Sequence, residues 1–222
     1  MGILRQFDLF GDLTEEEFTH LHDIVHVHRF HRGDYLFMEG QMREAVYFVD
    51  RGLVKIFKVD VEGREHIVNI LGARSLFPHA GLFDDSAYPG TAEVLVDSTL
   101  FLIPMRSFED LLRRYPEMMQ KMIRALGHVI VQLQEKVQQL SVFDAKGRVM
   151  ALLAHFIEEY GHKQVDGIHV NIPVTHTEMA QMIALSRESV NRIWNELRRE
   201  GVLTGNKDEW IFDAKWYEAS KH

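Results

Sequence analysis

The chain contains no cysteine. Disulfides, thiolate zinc sites and cysteine-ligated iron–sulfur clusters are therefore excluded. It also lacks any apolar run near the roughly 18–20 residues of a membrane-spanning helix. The opening stretch, MGILRQFDLFGDLTEEEF, carries acids where a secretory signal needs an unbroken apolar block. Together these absences point to a cytoplasmic protein with no membrane partner. Proline is scarce, with 5 in 222 residues, yet Pro78 and Pro89 both fall in FPHAGLFDDSAYPGTAE at residues 77–93. Proline removes a backbone donor, and glycine permits close approach or positive φ. That stretch reads as a turn shaped around something rather than as ordinary core.

An excess of basic charge is missing too: the net charge is −8 at pH 7. The distribution matters more than the sum. Residues 1–145 hold 15 basic and 22 acidic side chains, a balance of −7, whereas residues 146–222 hold 10 and 11, a balance of −1. Within 186–199, Arg187, Arg192, Arg198 and Arg199 face only Glu188 and Glu196. A local basic face can bind phosphates on an acidic protein, because salt confines the field of each charge to about 8–10 Å.

What is present is globular composition, 46% hydrophobic and 26% charged, with length for one large domain or two ordinary ones. The pattern changes three times. A short helix starts near Thr14, with Glu17 three residues on to close a capping box. From about 25 to 103 come the runs YLFME, AVYFV, LVKIFKV, HIVNIL, AEVLV and TLFLIP, punctuated by Gly33, Gly40, Gly52, Gly63 and Gly72. Short strands at that spacing predict an all-β roll or barrel of jelly-roll type.

After Pro116 the period switches. Ile123, Leu126, Ile130, Leu133, Val137 and Leu140 step by 3 and 4, an a/d seam sustained for nearly three heptads. Packing of this helix on its own sheet would use the same residues, but Val129 and Val131 supply a second apolar face, so the seam is read as a homodimer interface. From about Asp144 the chain reads as helices followed by a short hairpin. In VTHTEMAQMIALSRESVNRIWNELRREGVL, Thr175 and Glu178 form a second capping box, and Ala180, Met182 and Ile183 give the helix an apolar side. Ala184-Leu185 breaks it. Ser186 caps a second helix with Val190, Ile193, Trp194 and Leu197 on one face. The other face shows Arg187, Glu188, Ser189, Asn191 and Arg192. Two short helices around a tight turn, with forked donors at the start of the second, predict a helix-turn-helix that binds double-stranded DNA, with Thr175 and His176 at its edge. Arginine suits the two acceptors of a guanine edge, and a glutamate can accept from cytosine N4.

At these residues the chain resembles the CRP/FNR family of bacterial transcription regulators. The resemblance covers roughly 200 residues, and Ser186, Arg187, Glu188 and Arg192 match the recognition-helix pattern of the CRP branch, with the second arginine five residues after the first. It implies an α+β protein: a β-roll sensor of cyclic-nucleotide-binding type (1–115), a long dimerisation helix (116–143) and a winged helix-turn-helix (144–222). It implies a TGTGA-like half-site in an inverted repeat, RNA polymerase as a partner, and no enzymatic activity. The 77–93 stretch then falls on the family's phosphate-binding cassette. There a Gly-Glu pair holds ribose and an Arg-Ser or Arg-Thr pair holds the cyclic phosphate; here those places carry Pro78-His79 and Pro89-Gly90. Leu133 stands where a cAMP-binding member has a threonine. A phosphate diester wants a guanidinium and backbone donors, so these replacements argue against cAMP.

Three other readings stay open for the sensor. The pocket can take a less phosphate-like effector, lined by Phe77, Leu82, Phe83, Tyr88 and Leu133 with Arg74 and His79 as polar anchors. It can be plugged by side chains, leaving an effector-free regulator. Or His79, in a stretch resembling that of the family's carbon monoxide sensor, can ligate haem, although that sensor's second ligand is an N-terminal proline and this chain begins Met1-Gly2-Ile3. The histidines His20, His22, His26, His28 and His31 form a solvated face unless three or four nitrogens converge on a metal. A cupin-like metal enzyme is the rival class, but the His-x-His pairs precede the roll, and His66 and His79 lack partners.

Overall fold

The computed structural model describes residues 4–79, 81–142, 144–172, 174–206 and 209–219; the side chains of 132, 135–142, 159 and 219 lie outside that description. The chain divides into two compact units, Met1–Leu133 and Gln134–His222. In the first, two 3-10 turns (Leu4–Gln6 and Asp8–Phe10) lead into α1 (Glu15–Ile24). The Thr14 hydroxyl accepts from the Glu17 amide at 3.3 Å while the Thr14 amide donates to the Glu17 carboxylate at 2.8 Å, the capping box read from the sequence.

The strands β1 (His26–Phe30), β2 (Tyr35–Phe37), β3 (Ala45–Val59), β4 (Glu65–Leu71), β5 (Leu76–Phe77) and β6 (Thr91–Pro104) form one antiparallel sheet, ordered β1-β6-β3-β4, with β2 also on β6 and β5 on β3. Two runs expected on each side of Gly52 are one 15-residue strand, and AEVLV with TLFLIP is likewise one strand of 14 residues. Gly52 does not end β3 but bulges it, with the register against β6 shifting between Arg51 and Leu53. Its φ is +102°, and a Cβ there would lie 2.0 Å from the Ser98 hydroxyl. Only glycine fits.

Because successive side chains of a strand point to opposite faces, β3 buries both. Ala45, Tyr47 and Val49 join Phe37, Phe77, Tyr88 and Leu100 inside the roll. Val46 and Phe48 join Phe7, Phe10, Phe18, Leu21, Phe101 and Ile103 on the outer face. That outer face is covered by α2 (Met105–Arg114), through Phe108, Leu111 and Leu112, and by the first turns of α3 (Pro116–Val142), through Met118 and Met122. Each buried phenylalanine contributes roughly 1.5–3 kcal/mol, so the N-terminal turns are anchored firmly by Phe7 and Phe10.

In the second unit, α4 (Ala145–Tyr160) is capped by Asp144, which accepts from the Gly147 amide at 2.8 Å. Then follow β7 (His162–Gln164), β8 (Gly167–Val170), α5 (His176–Met182), α6 (Arg187–Arg199), β9 (Leu203–Asn206), β10 (Glu209–Phe212) and α7 (Ala214–Ala219). The expected hairpin is part of a four-stranded sheet, β7-β8-β10-β9, two strands of which precede the helix-turn-helix. The Asp166-Gly167 pair was the signal for the extra hairpin: Gly167 has φ +149° and packs where a Cβ would stand 2.7 Å from the Phe212 carbonyl.

Candidate nucleic-acid interface and sensor loop

The helix-turn-helix is assembled by local bonds. Thr175 and Glu178 close the capping box of α5, with the Thr175 amide donating to the Glu178 carboxylate at 2.7 Å. Ala184 turns the chain at φ +51°, and the Leu185 amide bonds back to the Ala180 carbonyl at 3.0 Å. This is a left-handed helix stop made without glycine. The Ser186 hydroxyl then accepts from the Ser189 amide at 3.2 Å and donates to its hydroxyl at 3.0 Å, capping α6. The inner face of α6 is sealed by Val190, Ile193, Trp194 and Leu197, all at most 2% exposed. On α5 it is Met179 with Ala180, rather than Met182 and Ile183, that is buried.

The outer face divides into two groups. Arg187, Glu188 and Arg192 are exposed and make no side-chain hydrogen bond or ion pair among the described residues. Asn191 and His176, expected among the DNA contacts, bond to each other and so clamp α6 to α5; the His176 ring also lies 4.7 Å from Trp194. Trp194 meets Trp210 of β10 edge-on at 4.9 Å, and the Arg198 guanidinium lies over Trp210 at 5.7 Å, fixing the wing to the helix. Lys146 of α4 reaches Glu196 at 2.6 Å and Glu200 at 3.0 Å at the other end of α6.

The 77–93 stretch is shaped around a side chain of its own protein. The Arg43 guanidinium, 3% exposed, enters the loop and donates to the Asp84 carbonyl at 3.1 Å, to the Asp84 carboxylate, and to the Ser86 hydroxyl at 2.7 Å. Gly81, at φ +88°, passes so close that a Cβ would coincide with an Arg43 nitrogen. Bonds from the Ser86 hydroxyl and amide, and then from Arg43, hold the Asp84 carboxyl at about 2. Tyr88 stacks on Phe37 at 3.7 Å and its hydroxyl meets the Glu44 and Ala45 amides at 3.2 and 3.3 Å. At the end of the stretch Glu93 grips Lys55 at 2.7 Å, with Glu65 at 3.0 Å.

The remaining residues expected to line one pocket are dispersed. Phe77 and Tyr88 are 2% and 3% exposed within the core of the roll. Leu82 packs on the opposite, outer cluster. Phe83 is 42% exposed, under the Arg113 guanidinium, with its amide bonded to Glu109 at 2.7 Å. Leu133 is 49% exposed on α3. Burial pushes the His79 imidazole down, which keeps it neutral. Apolar side chains pack on their nearest hydrophobic layer, which scatters a set grouped only by closeness in sequence. His20, His22, His26, His28 and His31 are exposed, and among the described residues no three His, Asp or Glu side chains converge as a metal site would require.

Of the seam on α3, Leu126 packs against the outer core of its own unit, while Ile123, Ile130 and Leu133 are 61%, 56% and 49% exposed, with Val131 beside them at 51%. The side chains of Val137 and Leu140 lie outside the described residues. Arg74 lies away from the loop: it lines a cleft of about 630 Å³ between the N-terminal turns, Phe48, Leu76 and the α3 residues Lys121, Arg124, Ala125 and His128. Sequence reasoning missed this cleft, since its walls lie more than 100 positions apart.

A family model described as the cyclic nucleotide-binding domain matches residues 27–115, and one described as the Crp-like helix-turn-helix domain matches residues 147–213. The chain belongs to the CRP/FNR family of transcription regulators. Among its relatives, it is 29% identical to the anaerobic regulatory protein of Bacillus subtilis, over 77% of this chain and 72% of that protein. It is 28% identical to the global nitrogen regulator of a Nostoc species, over 82% of each. The solved structure of FixK2 from Bradyrhizobium japonicum shares the fold, with a TM-score of 0.78 at 16% identity, over 88% of this chain and 96% of that one. As a CRP/FNR regulator the protein binds DNA through its helix-turn-helix. No helix among the described residues is long and apolar enough to cross a membrane.

Proposed function

We propose that the protein binds, as a homodimer, an inverted repeat of TGTGA-like half-sites, and that its sensor unit does not take cyclic nucleotides. The observation that carries the first part is the uncommitted N-terminal half of α6. Arg187 and Arg192 are solvent-facing guanidiniums one and a half turns apart, and Glu188 stands between them as an acceptor. Arginines already satisfied by acids would read nothing; these form no ion pair among the described residues, with Arg192 only in the field of Glu196 one turn on, and can fork onto guanine O6 and N7 with Glu188 accepting from cytosine N4. Ser186 and Ser189 sit at the helix start, where a phosphate is favoured by unpaired amides and the helix dipole. The uncovered face of α3 formed by Ile123, Ile130 and Leu133 supports pairing with a second copy, and RNA polymerase is the further partner this reading implies. A two-fold dimer sets the two α6 helices about 34 Å apart, one DNA turn. Selection from random duplex DNA by the full chain tests the proposal. The expected product is an inverted repeat with that spacing, and an asymmetric or unrelated consensus would overturn it.

The second part rests on Arg43. A cyclic phosphate needs a guanidinium and free amides, but the Arg43 guanidinium inside this loop is turned onto Asp84 and Ser86, and Pro78 and Pro89 have no amide proton to donate. The same packing speaks against haem: Phe77 and Tyr88 are locked into the core of the roll, and Arg43 fills the loop's interior. Calorimetric titration with cAMP and cGMP at millimolar concentration is expected to give no saturable heat.

A further inference from the structure

We infer that the cleft between the N-terminal turns and α3 is a binding site for a small organic dianion, bearing carboxylates or a phosphate, that acts on this regulator away from the nucleotide loop. Its volume, about 630 Å³, lies within the range of small-molecule sites. Its lining combines the apolar Phe7, Phe48 and Leu76 with Arg74 from the turn before β5, Arg124 and His128 from α3, and the carboxylates of Asp8 and Asp12. His128 follows Arg124 by one turn of α3, so both point to the same mouth.

The charges of the cleft are not alike. Lys121 is consumed by Asp12 at 2.5 Å and the Asp8 carbonyl at 2.9 Å. Arg5 is consumed by Glu15 at 2.8 Å and the Leu13 carbonyl at 2.7 Å. The Lys121 bonds also hold the N-terminal turns against α3. Arg74, Arg124 and His128 form no ion pair or side-chain hydrogen bond among the described residues, and the Asp8 carboxylate is the one acid of the lining left without a basic partner. Two guanidiniums facing the Asp8 carboxylate leave one positive charge in surplus, and with the His128 ring as a further donor they suit an anion whose two acceptor ends can each meet a guanidinium.

Arg74 is placed there against its backbone preference. It sits at φ +68°, where glycine is the ordinary choice, in a turn pinned by its own amide to the Val49 carbonyl at 2.8 Å. A glycine would make the same turn with less strain but offer no cation. An anion bridging Arg74 to Arg124 would tie the sheet to the helix that carries Ile130 and Leu133, and differential affinity for two arrangements of that helix is what an effector needs in order to act.

The inference rests on the regulator reading, and the test separates the two. Thermal shift and calorimetry of the full chain, at matched ionic strength, use succinate, citrate and inorganic phosphate as probes and the neutral succinamide as control. At least one dianion is expected to bind saturably and raise Tm, with succinamide inert. A response to succinate or citrate alone assigns carboxylates, and a response to phosphate alone assigns a phosphate ester. Arg74→Gly, which relieves the turn, and Arg124→Gln are each expected to weaken binding by about tenfold or more while leaving the protein folded. No saturable binding by any probe, or binding unchanged in both variants, overturns the site. In either case, binding of the wild-type chain to its selected operator shows that the regulator reading stands; loss of operator binding in the wild type would sink that reading instead.

Discussion

Arginine does opposite work in the two units. In the sensor unit Arg43 is buried and its guanidinium is committed to Asp84 and Ser86, and Lys55, also buried, is committed to Glu93 and Glu65. On α6 Arg187 and Arg192 are exposed and form no ion pair among the described residues, with Glu196 acting on Arg192 only at longer range. A buried cation must be paired because desolvation is costly, and once paired it has few donors left for a ligand. An exposed cation is weakly held and can be given to a phosphate or a base edge. The family's cassette is built to lend an arginine to a ligand; here the loop has been closed on an arginine from the segment before β3, while the recognition helix keeps its own available.

Breaking the comparison starts with assembly. Ile130→Glu puts a carboxylate on an exposed position of α3, so the protomer should fold normally, but a paired seam would bury that charge. Sedimentation is expected to show monomer, and operator affinity to fall toward the non-specific level, roughly 10³-fold or more; an intact dimer would move the interface elsewhere. Arg43→Met removes the cation inside the loop and is expected to cost about 1–3 kcal/mol of sensor stability, discounted because Asp84 is more than half in water, with operator affinity unchanged. Its acid limb should change too. The depressed Asp84 carboxyl contributes stability in full above its ordinary value of 3.8, and that stability is lost as pH falls toward about 2. Thermal melts of the wild type should show this loss, and melts of Arg43→Met a smaller one.

The smallest effect concerns the wing. His169 of β8 is nearly buried, bonded to Asp166 at 2.8 Å and 3.2 Å from Glu209 of β10, though out of line for a hydrogen bond to it, and His162 is its cross-strand neighbour. The bond to Asp166, opposed by burial and helped by Glu209, raises the imidazole above its ordinary 6.5. A raised pKa means stability that is complete below 6.5 and is lost as pH rises through the higher folded value. Melts of the full chain should therefore weaken on the alkaline side, and His169→Phe should flatten that slope.

The helix-turn-helix was legible because its determinants are local. Thr175 with Glu178 and Ser186 with Ser189 are separated by three residues, and the apolar positions of α6 recur at helical spacing. The roll was legible in kind but not in detail. Gly52 reads as a strand break because a bulge and a turn both call for glycine, and only the distant Ser98 decides between them. The pocket could not be read at all. Phe77, Leu82 and Phe83 are close in sequence but pack on different layers, and Arg43, which fills the loop, lies 41 residues before its partner Asp84. The cleft beneath Arg74 depends on Phe7 and Arg124, which only the folded chain brings together.

The central claim is that α6 reads bases with arginines that no ion pair holds among the described residues. A double-mutant cycle tests it most directly: fluorescence anisotropy of wild type and Arg187→Ala on the selected operator and on an operator changed at one half-site guanine. For the wild type the base change is expected to cost about 1–3 kcal/mol, and for Arg187→Ala the same change is expected to cost almost nothing more. Equal penalties for Arg187→Ala on the operator, the altered operator and random DNA would contradict the claim, and would make Arg187 a phosphate contact only.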